Sequence, residues 1–346
     1  MLNIDVLVPS YQYGRYLRGC VESVLAQDIA AVRVLIIDNA STDNSVEVAQ
    51  QLAAEDRRVE LLARRTNLGP HASFNEGVDW ARSDLFMVLC ADDLVAPGAF
   101  KRAMAVMDRY PGVGLAYGQT QWFHGSEPPL TAYPSRPAAW TVQQGHHALK
   151  MICRRAHFPM ALCATMTRTS VLKKAGYFRP ALPHTEDWEL WLRMMCLADV
   201  ASTDAVQGVS RVHGEARSAF LQKDWLESIL LNKTTFDFFF TEQAAGMNDG
   251  PRLHRAAQRG TAAEAYWAAI VCFYHGDRAA GRKLMTYALS SHPNMRILPP
   301  FDYLLWRPEI LGRVGRALSR VSKHVRLAPA ALATGIGLLR SRLAPP

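Results

Sequence analysis

No two cysteines of this chain stand in a C-x-x-C pair, although six are present among 346 residues: Cys20, Cys90, Cys153, Cys163, Cys196 and Cys272. That spacing excludes a zinc knuckle or a redox dithiol and predicts buried free thiols in a reducing compartment. No uncharged apolar stretch reaches the roughly 20 residues that span a bilayer. The nearest approach, 327–339, is broken by Pro329, Gly335 and Gly337. The opening Met-Leu-Asn-Ile-Asp-Val has neither a basic n-region nor a small-residue cleavage site, so a cytoplasmic protein is expected. There is no G-x-x-x-x-G-K-[ST] and no G-x-S-x-G, and the glycines of 112–118 are misplaced for a dinucleotide fingerprint. P-loop, serine-hydrolase and nicotinamide chemistry are thereby set aside.

What remains has ordinary globular composition, 49% hydrophobic and 20% charged, enough for a large domain and a smaller one. In the first half, strand-type and helix-type segments alternate, which predicts a mostly parallel sheet with crossover helices. Strands are expected over 4–8, 32–37, 59–62, 85–90 and 113–117. Helices are expected over about 16–25, from a cap among Ser41, Thr42 and Asp43 to about Leu52, over 70–81 and over 97–110.

The strand ends carry the groups capable of chemistry. The first delivers Pro9, Ser10 and Tyr11; the second Asp38; the third leads to Asn67 and Gly69; the fourth to Asp92 and Asp93. In a parallel sheet these ends share one edge, where ligands bind. Two carboxylates after a buried strand suit a divalent cation carrying a diphosphate, Mg²⁺ or Mn²⁺. A capping turn for the next helix is the simpler explanation of the same pair.

Taken together, Val-Pro-Ser-Tyr (8–11), Ser-Val-Leu-Ala-Gln (23–27), Ile-Ile-Asp-Asn-Ala-Ser-Thr-Asp (36–43), Asn-Leu-Gly-Pro (67–70) with Asn75-Glu-Gly77, and Leu-Cys-Ala-Asp-Asp (89–93) resemble a family 2 glycosyltransferase. His184-Thr-Glu-Asp-Trp-Glu-Leu-Trp-Leu-Arg193 resembles its acceptor-side Glu-Asp motif. The resemblance covers about 215 residues. It implies a GT-A fold, α/β and Rossmann-like, with a helical C-terminal extension, and an inverting transfer from a nucleotide-diphosphate sugar to an acceptor hydroxyl. UDP is the expected nucleotide, with dTDP and GDP as alternatives.

By the same resemblance Pro9, Ser10 and Tyr11 line the nucleotide, Asp38 holds the base, and Asn67, Gly69 and Asp92 belong to the donor site. Asp93 and Asp92 would carry the metal, with His213 as a further ligand and Arg217 on phosphate. Asp187 becomes the general base, with Glu186 placing acceptor or backbone. Relatives often have an acid where this chain has Cys90, and a thiol is a poor ligand for Mg²⁺. A catalytically inactive nucleotide- or glycan-binding module of the same fold is the reading of a different class.

The expected domains are a catalytic one at 1–220, a helical extension at 221–308 with a tetratricopeptide-like hairpin over about 261–291, and a tail at 309–346. From Ile310 onward there are seven Arg and Lys residues and no acid, with Leu311, Val314, Leu318 and Val321 at helical spacing. This predicts an amphipathic segment on an anionic membrane surface, where a glycan or lipid-linked acceptor of a cell-surface polysaccharide or glycolipid pathway would be met. Oligomers are compatible with the sequence; nucleic acid is not an expected partner.

Overall fold

The structure is a computed structural model that describes residues 2–29, 31–125, 139–217, 224–243, 246–307, 310 and 312. Its elements run β1 (Ile4–Ser10), α1 (Gly14–Leu25), β2 (Val32–Asp38), α2 (Ser45–Glu55), β3 (Val59–Ala63), α3 (Pro70–Trp80), β4 (Leu85–Val88), β5 (Leu94–Val95), α4 (Ala99–Arg109) and β6 (Val113–Phe123). Then follow β7 (Trp140–Gln143), α5 (Gly145–Arg155), β8 (Thr165–Arg168), α6 (Thr169–Ala175), α7 (Glu186–Met195) and β9 (Asp199–Arg211). The chain ends in α8 (Trp225–Glu242), α9 (Gly250–Tyr274), α10 (Arg278–Ser291) and α11 (Phe301–Trp306).

The strands join in one sheet ordered β3-β2-β1-β4-β8-β6-β9-β5, with β7 beside β9. The first four are parallel and run together as expected. Because the chain winds outward to β3 before returning to β4, the crevice between the ends of β1 and β4 is a topological switch point, the place where such sheets bind ligands. Ile4, Val6, Val8, Val34, Ile36, Leu85 and Met87 face a core also filled by Leu17, Cys20, Val21 and Val24 of α1.

Three details differ from the sequence reading. The strand at 113 does not pair with β4: the four-residue β8 lies between them, antiparallel to both. The 85–90 run ends as a strand at Val88, and the chain turns before the acidic pair. No side chain among Ser41, Thr42 and Asp43 caps α2 in the expected way; its N-cap is Asn44, while Asp43 accepts from the backbone N–H of Ser45 at 3.0 Å. The same carboxylate accepts from Gly14 N–H at 3.1 Å. A Cβ on Gly14 would meet Asn44 Oδ1 at 2.1 Å, so this approach of α1 to the 43–45 turn requires glycine.

Two compact units are present. The sheet and its helices belong to the first, together with 234–254. The second comprises 154–156, 225–233 and 255–346. Within it α9 and α10 pack through Ala265, Ala268, Ala269, Leu284 and Ala288, and Asp277 caps α10 through Ala280 N–H at 3.0 Å. Ile297, Leu298, Phe301 and Leu305 of this unit are exposed. No described helix is long and apolar enough to cross a membrane. Apart from Ile310 and Gly312, the basic tail lies outside the described residues, as does 126–138 in the segment between Trp122 and Phe158.

Candidate functional site

The rim is built first from backbone turns. After β1, Gln12 adopts φ 62°; after β2, Ala40 adopts φ 64°; before α3, Gly69 adopts φ 79°. Positive-φ residues thus bend the chain in each of the three loops that follow these strands. Asp38, fully buried, accepts from Ser41 N–H at 2.9 Å and Ser41 Oγ–H at 2.6 Å, so its carboxylate shapes its own loop. Ser41 Oγ in turn accepts from Gln12 N–H at 2.9 Å. Ser10 is paired in register with Asp38, and its buried hydroxyl has no partner among the described residues. Pro9 is half-buried and Tyr11 is exposed at the same edge.

The third strand end is tied to the second through Asn39, Asn67 and Arg64. Asn39 Nδ2 donates to Asn67 Oδ1 at 2.6 Å, and Asn39 Oδ1 accepts from Leu68 N–H at 3.0 Å and from Arg64 at 3.1 Å. Asn67 Oδ1 also accepts from Gly69 N–H at 2.8 Å. Two motif residues, Ser23 on α1 and Gln27 just beyond its end, hold the fourth end. Ser23 Oγ accepts from Val95 N–H at 3.0 Å, and Gln27 donates to the Ala96 carbonyl at 3.2 Å. These contacts fix the stretch that immediately follows Asp92 and Asp93.

The acidic pair is nearly buried, at 8% and 9% exposed. Asp93 Oδ1 accepts from Arg211 N–H at 3.0 Å, and His213 Nε2 lies 3.0 Å from Asp92 Oδ2. Burial first, and the charge of Asp92 second, push Asp93 up to about 8; hydrogen bonds from Arg211, Ser210 and Cys163 act the other way. The Cys90 thiol and one oxygen each of Asp92 and Asp93 lie within 4.8 Å of one another, a set that could hold a cation. Tyr13 and Tyr16 wall this side, their rings 5.8 and 5.4 Å from that of His213, with the Arg211 guanidinium 4.4 Å over Tyr16. Burial and the fields of Asp92, Cys90 and Asp93 raise the Tyr13 phenol, which keeps it neutral.

A second carboxylate pair opens α7. His184, with φ 75°, turns the chain into Thr185, the N-cap. Glu186 is 3% exposed and accepts from Arg217. Asp187 is half-buried, and its Oδ1 accepts from Trp188 N–H at 3.0 Å. Burial, then the charge of Glu186, push Asp187 up to about 8, opposed by Trp188 N–H and Arg217. Below the turn, Glu189 and Arg193 form a buried pair at 2.7 Å, and Arg193 donates to the Tyr177 carbonyl at 2.8 Å, which locks the helix against the preceding loop. Asn75 of α3 bonds both backbone groups of Phe178 in that loop, at 2.8 and 3.0 Å. Trp191 is core, and Trp188 stacks on Phe158 at 5.0 Å.

Arg217 bonds Glu186, and its charge reaches Asp187 and also Cys90, the thiol beside Asp92 and Asp93. The structure thus brings Asp92, Asp93 and His213 together, and Glu186, Asp187 and Arg217 together. It places Ser10, Asp38, Asn67 and Gly69 on the adjoining rim. Tyr13 and Arg64 were not expected, and Asn39 and Arg211 stood in recognised segments without an assigned contact. Their contribution comes from contacts across the sheet, for which one sequence carries no local signal.

The model of Glycosyl transferase family 2 matches residues 5–174. A glycosyltransferase from Streptococcus pneumoniae, GlyG, is 34% identical over 92 residues, 27% of this chain and 31% of its own length. Among solved structures, S. aureus TarS 1-349 in complex with UDP has a TM-score of 0.56 at 15% identity, covering 95% of this chain and 93% of that one. The mannosyltransferase PcManGT from Pyrobaculum calidifontis, in complex with GDP-Man and Mn²⁺, has a TM-score of 0.56 at 14% identity, covering 94% and 86%. The chain matches under half the length of the first curated relatives. At these identities the structural likeness concerns the fold, which is GT-A.

Proposed function

Because the chain belongs, through residues 5–174, to glycosyl transferase family 2, we propose that it transfers a sugar with inversion from a nucleotide-diphosphate sugar to an acceptor hydroxyl. The observation that carries this reading is the pairing of two carboxylate sites, Asp92–Asp93 at the switch point and Glu186–Asp187 at a helix start, with Arg217 bonded to Glu186 and its charge reaching the Cys90 thiol beside the first pair. In this reading Pro9, Ser10, Tyr11, Asp38, Asn67 and Gly69 form the nucleotide rim.

A divalent cation, Mn²⁺ or Mg²⁺, fits beside Asp93 and Asp92, since two nearly buried carboxylates that disfavour each other's charge gain from a positive ion. When bound it would neutralise the diphosphate leaving group. His213 already holds Asp92 and is placed either to orient it or to join the ligands. Asp187 takes the proton from the acceptor hydroxyl as that oxygen attacks the anomeric carbon. Its elevated proton affinity suits the task, because a base near neutrality both ionises and accepts. Arg217 engages one oxygen of Glu186, and in this reading Asp187 is the carboxylate of the pair that faces the acceptor.

A UDP-sugar is the preferred donor, supported by the UDP complex of TarS; the GDP-Man complex of PcManGT keeps GDP as the second choice. The domain division at 220 and 308 and the role of the basic tail belong to the same proposal. Seven basic residues after Ile310, and separately the exposed Ile297, Leu298, Phe301 and Leu305, support peripheral attachment to an anionic membrane and an acceptor of the glycan or lipid-linked kind. The test is a thermal-shift panel of UDP, dTDP, GDP and their sugars, with and without Mn²⁺. A metal-dependent stabilisation by one nucleotide series is expected, and silence across the panel would favour the non-catalytic binding module.

A further inference from the structure

One pair of side chains in the first unit is chemically incomplete. Glu186 Oε2 and His71 Nε2 are both buried and have no hydrogen-bond partner among the described residues. They stand 3.8 Å apart, too far to bond each other. Glu186 is 3% exposed and its other oxygen is taken by Arg217, so Oε2 has no solvent route to satisfaction. The His71 ring is set edge-on to Phe74, with centroids 6.4 Å apart, and Phe74 is itself packed on Phe178. An orphaned buried polar atom carries an uncompensated desolvation cost. Two of them facing one gap indicate a group that is missing until substrate arrives.

We infer that His71 and Glu186 form a clip for one hydroxyl of the transferred sugar, which donates to Glu186 Oε2 while accepting from His71 Nε2–H. The inference rests on the glycosyl-transfer reading and names a part of the substrate within it. A hydroxyl is the group that fits, because it donates and accepts through one oxygen. Phosphate would bring negative charge against Glu186. Burial lowers the His71 pKa, with Glu186 opposing and Arg217 reinforcing, and a neutral ring with a single N–H suits a neutral partner.

The position of the clip selects the sugar over the nucleotide and the acceptor. His71 lies in the first turn of α3, directly after the loop in which Asn67 and Leu68 bond Asn39 on the nucleotide rim. Glu186 immediately precedes Asp187, the proposed base. The sugar is the part of the substrates that must reach from the rim and the diphosphate to the base. A buried, otherwise unpaired clip also discriminates, since a sugar without that hydroxyl would leave both atoms unsatisfied.

Calorimetric titration of the full chain with UDP, UDP-N-acetylglucosamine, GDP and GDP-mannose, each with Mn²⁺, reads the sugar's contribution as the ratio of nucleotide to nucleotide-sugar dissociation constants. For the series that binds, His71→Ala is expected to lower this ratio about ten-fold while leaving the nucleotide's own constant unchanged. His71→Gln, whose amide offers an N–H, should restore part of it. Glu186→Gln, checked for folding by its melting curve, should lower the ratio in the same direction. An unchanged ratio in His71→Ala, or equal weakening of nucleotide and nucleotide sugar, overturns the clip. Failure of the wild-type chain to bind either nucleotide overturns the glycosyl-transfer reading instead.

Discussion

Asp187 sits where a carboxylate is reluctant to ionise, and that reluctance has a measurable consequence. With its proton held up to about 8 by burial and Glu186, the base is increasingly protonated as pH falls below that value. Transfer should therefore decline roughly ten-fold per unit on the acid side of pH 8, and a flat profile between pH 6 and 8 would contradict the role. Asp187→Asn should abolish transfer yet keep nucleotide-sugar affinity, because the donor side is untouched; equal loss of both would indicate a structural role. Asp93 makes a companion case. Its folded-state pKa is also raised to about 8, so in the absence of a cation folding loses stability as pH climbs from the ordinary carboxylate range toward 8. A cation relieves that penalty, so the melting-point increase given by Mn²⁺ should be larger at pH 8.5 than at pH 6 and should vanish in Asp93→Ala. Asp92, Asp93 and Asp187 were readable because acids ending an apolar strand or opening an amphipathic helix stand out against their neighbours. The contacts of Asn39, Arg64 and Arg211 were not, because polar residues in a loop look alike until the sheet brings their partners to them: Arg211 meets Asp93 across 118 positions of sequence.

The elements divide into those that hold the site and those that hold the sheet. At the start of β1, far along the strand from Ser10, the buried Asp5 accepts from Arg33 at 2.8 and 2.9 Å, from Ser83 Oγ at 2.6 Å, and from the backbone of Arg82 and Ser83. Burial alone would raise its pKa, but these donors outweigh it and hold the carboxyl below its usual value. The sign is then opposite to that of Asp93: the stabilisation is present above the ordinary carboxylate range and is lost as pH falls through the depressed value. Asp5→Ala should cost about 2–3 kcal/mol in urea unfolding at pH 7, less at pH 3, with KM for the donor unchanged. A shift in KM would show that this end of the strand communicates with the crevice. The parallel strands and α1, α3 and α4 were legible within a few residues, since their apolar periodicity is continuous. The antiparallel β8 and the two-residue β5 were not. Four and two residues are too short for any period to register, and their pairing is decided by what the rest of the sheet leaves open.

For the whole chain, the unlike halves of the sequence correspond to unlike physical tasks. The sheet unit carries every candidate site residue, whereas the helical unit is built around alanines in α9 and α10 and leaves an apolar group at 297–305 in solvent. The proposed membrane attachment makes a direct prediction: full-length protein should co-sediment with vesicles containing phosphatidylglycerol and be released by salt, and a chain ending at Pro308 should not bind. Equal binding by the shorter chain would transfer the role to the exposed apolar residues or dismiss it. The α/β class could be read from the sequence because a large part of the sheet is assembled from neighbours in chain order. The membership of 234–254 in the sheet unit could not, since helix periodicity says which face is apolar and not which unit it joins.

β9 ends at Arg211, whose N–H completes the hydrogen bonding of Asp93, and the next six residues supply His213 and Arg217. The strand that supports the first acidic pair from outside is thus among the last pieces of the sheet to be synthesised. A ribosome that has made β1 through β4 has made both aspartates, but not the site. In the proposed reading donor recognition would for this reason be a property of the finished sheet, and nucleotide binding during synthesis would serve as a clock for its closure.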